Sequence, residues 1–579
     1  MKFTWKIGGE AGFGIMTTGL LFSKIATRLG YEILDYVEYP SLVRGGHNAY
    51  EVCVFDEKVT ALDKNIDILV CLNQETFEKH KNRLKKDSLV IYDNEEFDFQ
   101  DDFVKINISF KKILKELDGQ AIMKNTIALG ASLAVLGGNL KVLNDLIKEQ
   151  FEKKGQQVIE FNQKFALKGY QTINDSYSQF IKNYLKEKKD LQEKIVITGN
   201  DGFSIGAVAA DCRLYAAYPM TPSSSVLTNL ASWQDKTGMI VRHAEDEISV
   251  INTALGASFA GVRSAVGTSG GGFALMVESL SFAGVAEIPI VVFLASRPGP
   301  ATGMPTWTEQ GDLLFATFAG HGEFPKIVLS PGDQEEMIEL TLKAFNLADI
   351  YQTPVIVLSD MYLSEGHKSV SKKWFEELIL NFKINRGKIN QNAKIKNQND
   401  NEKIKNFLRY KITDDGISEK ILPGTPGFFY QENSYEHLED GHTTEEAQPR
   451  KQQIEKRARK WHTYLKNDFQ MPKFYGDESE IVFVSWGSTK GIIIEAQKQL
   501  LVKGVKTGFY HFNHIYPLDN EKIPNLFSKN KKYILIENNS WGQFGKLLTM
   551  TTGFEIKDKI LRYDGRPIEV DEIIKFLIN

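Results

Sequence analysis

The chain has 579 residues, of which 42% are hydrophobic and 25% charged, and a formal net charge of −4. That balance belongs to an ordinary folded protein and excludes a low-complexity or disordered chain, while the slight negative charge argues against nucleic acid as the main partner. The length predicts about three or four domains. The opening segment Phe3-Thr4-Trp5-Lys6-Ile7-Gly8 reads as a strand. It runs into Gly8-Gly9-Glu10-Ala11-Gly12-Phe13-Gly14 and then a helix from Ile15 to Leu29. A glycine turn between strand and helix lets backbone N–H groups approach an anion, with Gly12 and Gly14 as candidates; close packing without a ligand accounts for it equally well. Asp35 stands where a dinucleotide-binding domain would keep its ribose acid. The next stretch, Tyr39-Pro40-Ser41-Leu42-Val43-Arg44-Gly45-Gly46-His47, is foreign to such a domain. Arg44 either meets an anion or braces its loop. The first α/β domain is expected over 1–190, with a charged helical joint near Lys182 to Lys194.

The second segment, 195–370, carries the chemistry. An apolar strand, Arg213 to Ala217, leads into Tyr218-Pro219-Met220-Thr221-Pro222-Ser223-Ser224. Tyr218 and Thr221 each precede a proline, which pushes both towards extended backbone, and the two ring-locked φ angles stiffen the loop. The serines can cap a helix starting near Val226. Arg242-His243-Ala244-Glu245-Asp246-Glu247 then opens a small-residue helix, Ile248 to Ala257. A strand from Arg263 to Gly267 delivers Thr268-Ser269-Gly270-Gly271-Gly272 to a further helix, and a strand from Pro289 to Ala295 delivers Ser296-Arg297-Pro298-Gly299-Pro300-Ala301-Thr302-Gly303. The loop continues through Pro305-Thr306-Trp307-Thr308-Glu309-Gln310. Stiff or glycine-rich loops between strand ends and helix starts are where α/β proteins hold reacting groups.

Between 371 and 475 the pattern weakens, and from about Asn381 to Lys405 the chain is rich in Asn, Lys and Gln. Such a stretch cannot bury a core and reads as a linker or surface insertion. His437, Glu439 and His442 do not have zincin spacing, and no metal site is expected in the chain. The last segment, 476–579, alternates strands and helices again, as in Ile481-Val482-Phe483-Val484-Ser485-Trp486-Gly487, and reads as a scaffold or docking domain.

The motifs from Tyr218 through His321-Gly322-Glu323-Phe324-Pro325, with Glu436-His437-Leu438-Glu439-Asp440-Gly441-His442, closely resemble the α subunit of 2-oxoacid:ferredoxin oxidoreductases. Within that family they look nearest to the 2-oxoglutarate-type branch. The glycine turn, the Arg44 loop, Asn125-Thr126-Ile127-Ala128-Leu129-Gly130-Ala131 and the stretch from Asn162 to Gly169 resemble its γ subunit. The resemblance implies a fused γ–α chain of three α/β domains: a Rossmann-like γ domain, a thiamine-diphosphate pyrimidine-binding domain and a transketolase C-terminal-like domain. It also implies oxidative decarboxylation of a 2-oxoacid with CoA to acyl-CoA, carbon dioxide and reduced ferredoxin, in the cytoplasm. Glu247 matches the glutamate that activates the pyrimidine, with Glu245 as the alternative. Tyr218, Pro219, Gly270 and Gly272 would line the cofactor, and Thr221, Arg297 and Trp307 the substrate. Gly12, Gly14 and Arg44 would serve CoA or another anion.

The Gly-Asp-Gly…Asn segment that holds the magnesium diphosphate is missing; Asn200-Asp201-Gly202 is the nearest approach. The three cysteines, Cys53, Cys71 and Cys212, are scattered, whereas an iron–sulfur cluster needs four clustered thiolates. Magnesium, diphosphate and cluster are therefore expected on a β subunit, in a heteromer such as a dimer of heterodimers, without membrane anchor. Trp307 departs from the family, many members of which have Arg or Lys there. That favours an aliphatic or aromatic oxoacid, such as indolepyruvate or a branched-chain acid, unless His243, Arg297 or a partner residue supplies the charge; alternatively Trp307 only packs its loop. A non-catalytic assembly subunit and a nicotinamide enzyme are the rivals from other classes.

Overall fold

The computed structural model describes residues 1–41, 46–189, 191–390 and 405–578, so Arg44 and most of the polar insertion lie outside the described residues. The chain forms two compact units. Met1–Thr198, Glu365–Glu377 and Glu569–Asp571 make the first; Gly199–Ser364, Leu378–Ile568 and Glu572–Asn579 make the second. Both are α/β, as the alternation of apolar strands and amphipathic helices predicts.

The first unit is built on an eight-stranded mixed sheet. In spatial order its strands are Val104–Asn107, Leu84–Tyr92, Ile66–Cys71, Lys2–Glu10, His47–Phe55, Glu32–Glu38, His367–Ser371 and Lys194–Thr198. The strands His367–Ser371 and Lys194–Thr198, which bound the expected 195–370 segment, thus belong to this sheet. The core is aromatic and dry: Trp5 stacks on Phe22 at 4.2 Å and donates its indole N–H to Ser132 Oγ at 2.9 Å. Helices Lys124–Val135 and Gln156–Ser176 cross with their backbones nearly touching. A Cβ on Gly130 would come within 2.0 Å of the Ala166 carbonyl oxygen, and one on Gly169 within 2.0 Å of that of Ile127. The two small-residue runs seen in the sequence are therefore the price of close helix packing.

The charged stretch Lys182 to Lys194 was expected to be helical and is not, among its described residues. Its backbone bonds elsewhere: Lys182 N to Val135 O, Leu185 N to Leu136 O and Lys188 N to Leu29 O. With Leu185 fully buried, an extended strap satisfies those groups better than an isolated, highly charged helix would.

The second unit holds a seven-stranded sheet in the order His514–Tyr516, Ile327–Leu329, Pro354–Asp360, Ile290–Ser296, Arg263–Thr268, Cys212–Ala217 and Ile240–His243. All neighbours are parallel except the first pair. A five-stranded sheet follows: Lys473–Gly476, Gly508–Phe512, Ile481–Trp486, Lys532–Glu537 and Asp558–Leu561. One apolar core, from Val266 and Leu294 to Trp486 and Leu535, runs through both sheets. His514–Tyr516 adds a strand to the larger one. The basic helix Ala447–Asn467 is pinned by charge: Lys456 and Lys460 both reach the carboxylate of Glu287, at 2.5 and 2.6 Å. No helix among the described residues is long and apolar enough to cross a membrane.

Candidate functional site

Because the central strands of the seven-stranded sheet run parallel, their carboxyl ends lie along one edge, and the loops singled out between Tyr218 and Arg297 leave from that edge. Cys212–Ala217 delivers Tyr218 to Thr221, and Ile240–His243 delivers Glu245 to Glu247. Arg263–Thr268 delivers Gly270 to Gly272, and Ile290–Ser296 delivers Arg297. Thr221, Glu247, Gly270, Gly272 and Arg297 are thereby tied into one set of contacts.

Asp246 caps helix Glu247–Phe259, its carboxylate accepting from Ser249 N at 2.7 Å. This makes Glu247 the first helical residue and points its side chain inward. Glu247 is 4% exposed and its Oε1 has no hydrogen-bond partner. A buried carboxylate oxygen with nothing to bond is costly and uncommon in a finished core. Facing it is helix Gly270–Val285. A Cβ on Gly272 would meet Thr268 Oγ1 at 2.2 Å and Glu247 Oε1 at 2.5 Å, and one on Gly270 would meet Asp312 Oδ1 at 2.7 Å. Glycine is required at both positions for close approach, whereas Gly271 faces open space.

Arg297 donates through Nη1 to the Thr221 carbonyl oxygen at 2.7 Å. It thereby braces the loop. Asn200 locks the same loop from beneath, donating through Nδ2 to Pro222 O and to Ser225 Oγ, both at 2.7 Å. The nearest approach to a diphosphate motif thus serves a different purpose here. The expected serine cap is also different: helix Ser224–Thr237 starts earlier than Val226, and the Ser223 hydroxyl turns back to Met220 O at 2.8 Å. Thr221 has no side-chain hydrogen bond among the described residues, which leaves its hydroxyl available.

The loop from Arg297 to Asp312 is anchored at both ends. Gln310 exchanges hydrogen bonds with Asn538, N to O at 2.7 Å and Oε1 from N at 2.9 Å. Thr308 Oγ1 donates to the buried Asp360 at 3.2 Å. Burial, then the neighbouring Asp312, pushes Glu309 up to about 7, and burial raises Asp312 as well. Trp307 lies half-buried under the guanidinium of Arg566, 3.1 Å from the ring centre.

In the first unit, Gly14 caps helix Ile15–Arg28 in the left-handed region. Asn125 closes over it, donating through Nδ2 to Phe13 O at 2.9 Å. Gly12, at φ 98, stays open. Asp35, at the ribose-acid position, is wholly buried and accepts from Ser23, Tyr50 and His367 N. His437, Glu439 and His442 do not converge. His437 faces the carbonyls of Val285 and Leu438, Glu439 accepts from Ile412 N, and His442 pairs with Asp440. No cluster of His, Cys, Asp and Glu suited to a metal ion occurs among the described residues. The sequence reading missed Asn200 as a brace, Asp312 and Arg566. Asn200 was visible only as a broken motif, and Arg566 lies too far along the chain for any local signal.

The second unit is thus an α/β chain with an unsatisfied buried glutamate beside a glycine helix start at the edge of a parallel sheet. The model for pyruvate flavodoxin/ferredoxin oxidoreductase, thiamine diphosphate-binding, matches residues 205–456, and that for pyruvate ferredoxin/flavodoxin oxidoreductase matches 4–172. The 2-oxoacid:ferredoxin oxidoreductase subunit alpha of Saccharolobus solfataricus is 32% identical over 99% of this chain and 97% of its own length. The 2-oxoglutarate synthase subunit KorA of Archaeoglobus fulgidus is 30% identical over 61% of this chain and 90% of its own. A solved 2-oxoglutarate:ferredoxin oxidoreductase from Magnetococcus marinus, with 2-oxoglutarate, coenzyme A and succinyl-CoA bound, superposes with a TM-score of 0.90 at 29% identity, covering 100% of this chain and 99% of that one. The chain belongs to the 2-oxoacid:ferredoxin oxidoreductase family and is an oxidoreductase chain with a thiamine-diphosphate-binding domain.

Proposed function

We propose that this chain is the fused γ–α subunit of a CoA-acylating 2-oxoacid:ferredoxin oxidoreductase and acts with a β subunit. In this reading, 2-oxoacid, CoA and oxidised ferredoxin give acyl-CoA, carbon dioxide and reduced ferredoxin. The observation that carries it is the unpartnered, buried Oε1 of Glu247, set against Gly272 at an edge where Thr221 and Arg297 also gather. These residues fit the aminopyrimidine end of thiamine diphosphate: a carboxylate waits for a ring nitrogen, and Gly272 lets it stand against the helix start. Bound there, the cofactor supplies the electron sink for decarboxylation. Glu247 would hold a proton between its Oε1 and N1′ of the pyrimidine, and Gly270 and Gly272 would let Asp312 and Glu247 stand close to the ring. Thr221 would donate its free hydroxyl to the oxoacid carbonyl as negative charge develops there, and Arg297 and Asn200 would keep that hydroxyl in place. Tyr218 and Pro219 would wall the cofactor's side.

A β subunit is supported by what surrounds Glu247. Ile248, next to Glu247 on its helix, is 53% exposed, and Leu275, on the facing helix, 51%. Exposed apolar side chains beside a polar site are the composition of a surface covered by a partner. That partner would bring the magnesium diphosphate site and the iron–sulfur cluster, with ferredoxin as acceptor and a cytoplasmic setting. Gly12 at the open glycine turn, with Gly14 and Arg44, would meet CoA or another anion. The test is oxoacid- and CoA-dependent viologen reduction by the complex that co-purifies with the tagged chain from its own cells. Glu247→Gln should lower turnover by about 10²- to 10⁴-fold, the range for losing a positioned proton-transfer group. Unchanged turnover would favour a non-catalytic assembly role.

A further inference from the structure

We infer that Arg566, stacked on Trp307, is the cation that receives the distal carboxylate of a dicarboxylic 2-oxoacid. The inference rests on the functional reading above and adds the substrate class.

Three observations carry it. First, the loop bearing Trp307 belongs to the site at both ends: Arg297 braces the Thr221 carbonyl at 2.7 Å, and Asp312 stands where a Cβ on Gly270 would touch it at 2.7 Å. Second, Arg566 is built into this loop. Thr308 N donates to Gly565 O at 3.2 Å, and a Cβ on Gly565 would come within 3.2 Å of Trp307 Cβ and 3.1 Å of Met304 Cε. The guanidinium carbon lies 3.1 Å from the indole centre, a cation–π contact that holds the group against the ring. Third, the guanidinium N–H groups are unused. The guanidinium has no hydrogen bond or ion pair among the described residues. The acid that feels its charge, Asp564, is gripped by the fork of Arg562, Nε to Oδ1 at 3.0 Å and Nη2 to Oδ2 at 3.1 Å.

A half-buried guanidinium with free donors suits a carboxylate, which it can take bidentately. The other cation on this loop, Arg297, already donates to Thr221, whereas the Arg566 guanidinium is unengaged. Tryptophan at 307 then does not remove the positive charge from the pocket. It carries a charge that enters from a distant part of the chain.

The experiment uses the complex co-purified with the tagged chain, as wild type, Arg566→Gln and Arg566→Lys. The ratio of kcat/KM for 2-oxoglutarate to that for 2-oxobutyrate is measured, together with KM for CoA and the thermal shift caused by glutarate. We expect Arg566→Gln to lower the ratio by about 10- to 100-fold, the loss from one charge-assisted contact, through KM for 2-oxoglutarate. Arg566→Lys should fall between the two, and the glutarate shift should vanish in the Gln variant. A ratio unchanged by Arg566→Gln, or an equal fall for both oxoacids, would overturn the proposal. So would a rise in KM for CoA with either oxoacid, which would assign the arginine to a phosphate. Those results leave the enzyme reading standing, whereas a wild-type complex inactive with every oxoacid would overturn both.

Discussion

Glu309 illustrates how much one side chain can report. Burial and the neighbouring Asp312 keep its proton on until a pH of about 7, whereas the unfolded chain releases it at the ordinary value of 4.5. Between those values the folded state binds more protons than the unfolded one, so the contribution of Glu309 to stability declines as pH rises through the window. Glu309→Gln keeps the shape without the titration. The melting temperature of the wild type relative to this variant should therefore drop between roughly pH 4.5 and 7; a difference flat with pH would contradict the protonation assigned here. Gly272 gives a second prediction of the same grain. Gly272→Ala would place a methyl group 2.5 Å from Glu247 Oε1, so the carboxylate must move. Turnover of the complex should drop at least about tenfold, the scale of misplacing a reacting group by less than an ångström, with little change in melting temperature. Full activity would mean that turnover does not depend on the placement of Glu247.

Among the elements, the loops at the sheet edge were legible because proline, glycine and acid at fixed offsets from an apolar strand have few other uses. Thr221 stood out by its flanking prolines, whereas Glu247 was picked out by the family resemblance. The interior of helix Ala447–Asn467 was not legible, since a run of basic residues carries no mark of which side chains are buried. Lys456, Arg457 and Lys460 are instead buried, and their partners lie far away in sequence, at Glu287 and Glu436. Burial alone would raise Glu287, but the charges of Lys456, Lys460 and Arg409 hold it far below the usual carboxylate range. Burial in turn brings Lys456 down to about 7 and Lys460 to about 8. Glu287→Gln removes the carboxylate that keeps both lysines protonated and leaves them unpaired wherever they stay charged. It should cost about 3–5 kcal/mol of stability near pH 5, read as a lower urea midpoint. The deficit should shrink near pH 9, above the range in which both lysines discharge. An equal deficit at both pH values would argue that packing, not charge, is at stake.

For the molecule as a whole, the α/β class followed from alternation alone, because parallel strands and covering helices leave distinct apolar periods. Which strand joined which sheet did not follow. His367–Ser371 pairs with Lys194–Thr198 and Glu32–Glu38 through backbone groups that carry no sequence signature. The same holds for His514–Tyr516 in the larger sheet. Arg566 shows the cost of that blindness, since a side chain brought in by tertiary folding changes what Trp307 means for substrate charge. The functional reading also depends on scale. Glu247 is complete as a buried acid, yet Ile248 beside it and Leu275 on the facing helix are left open to solvent, and the diphosphate motif and clustered cysteines are missing from the sequence. The most direct measurement is oxoacid-dependent viologen reduction by the purified chain alone, beside the same chain in its co-purified complex, with thiamine diphosphate, magnesium and CoA supplied to both. Turnover in the complex and none in the isolated chain is the predicted result; full turnover by the isolated chain would contradict the shared site.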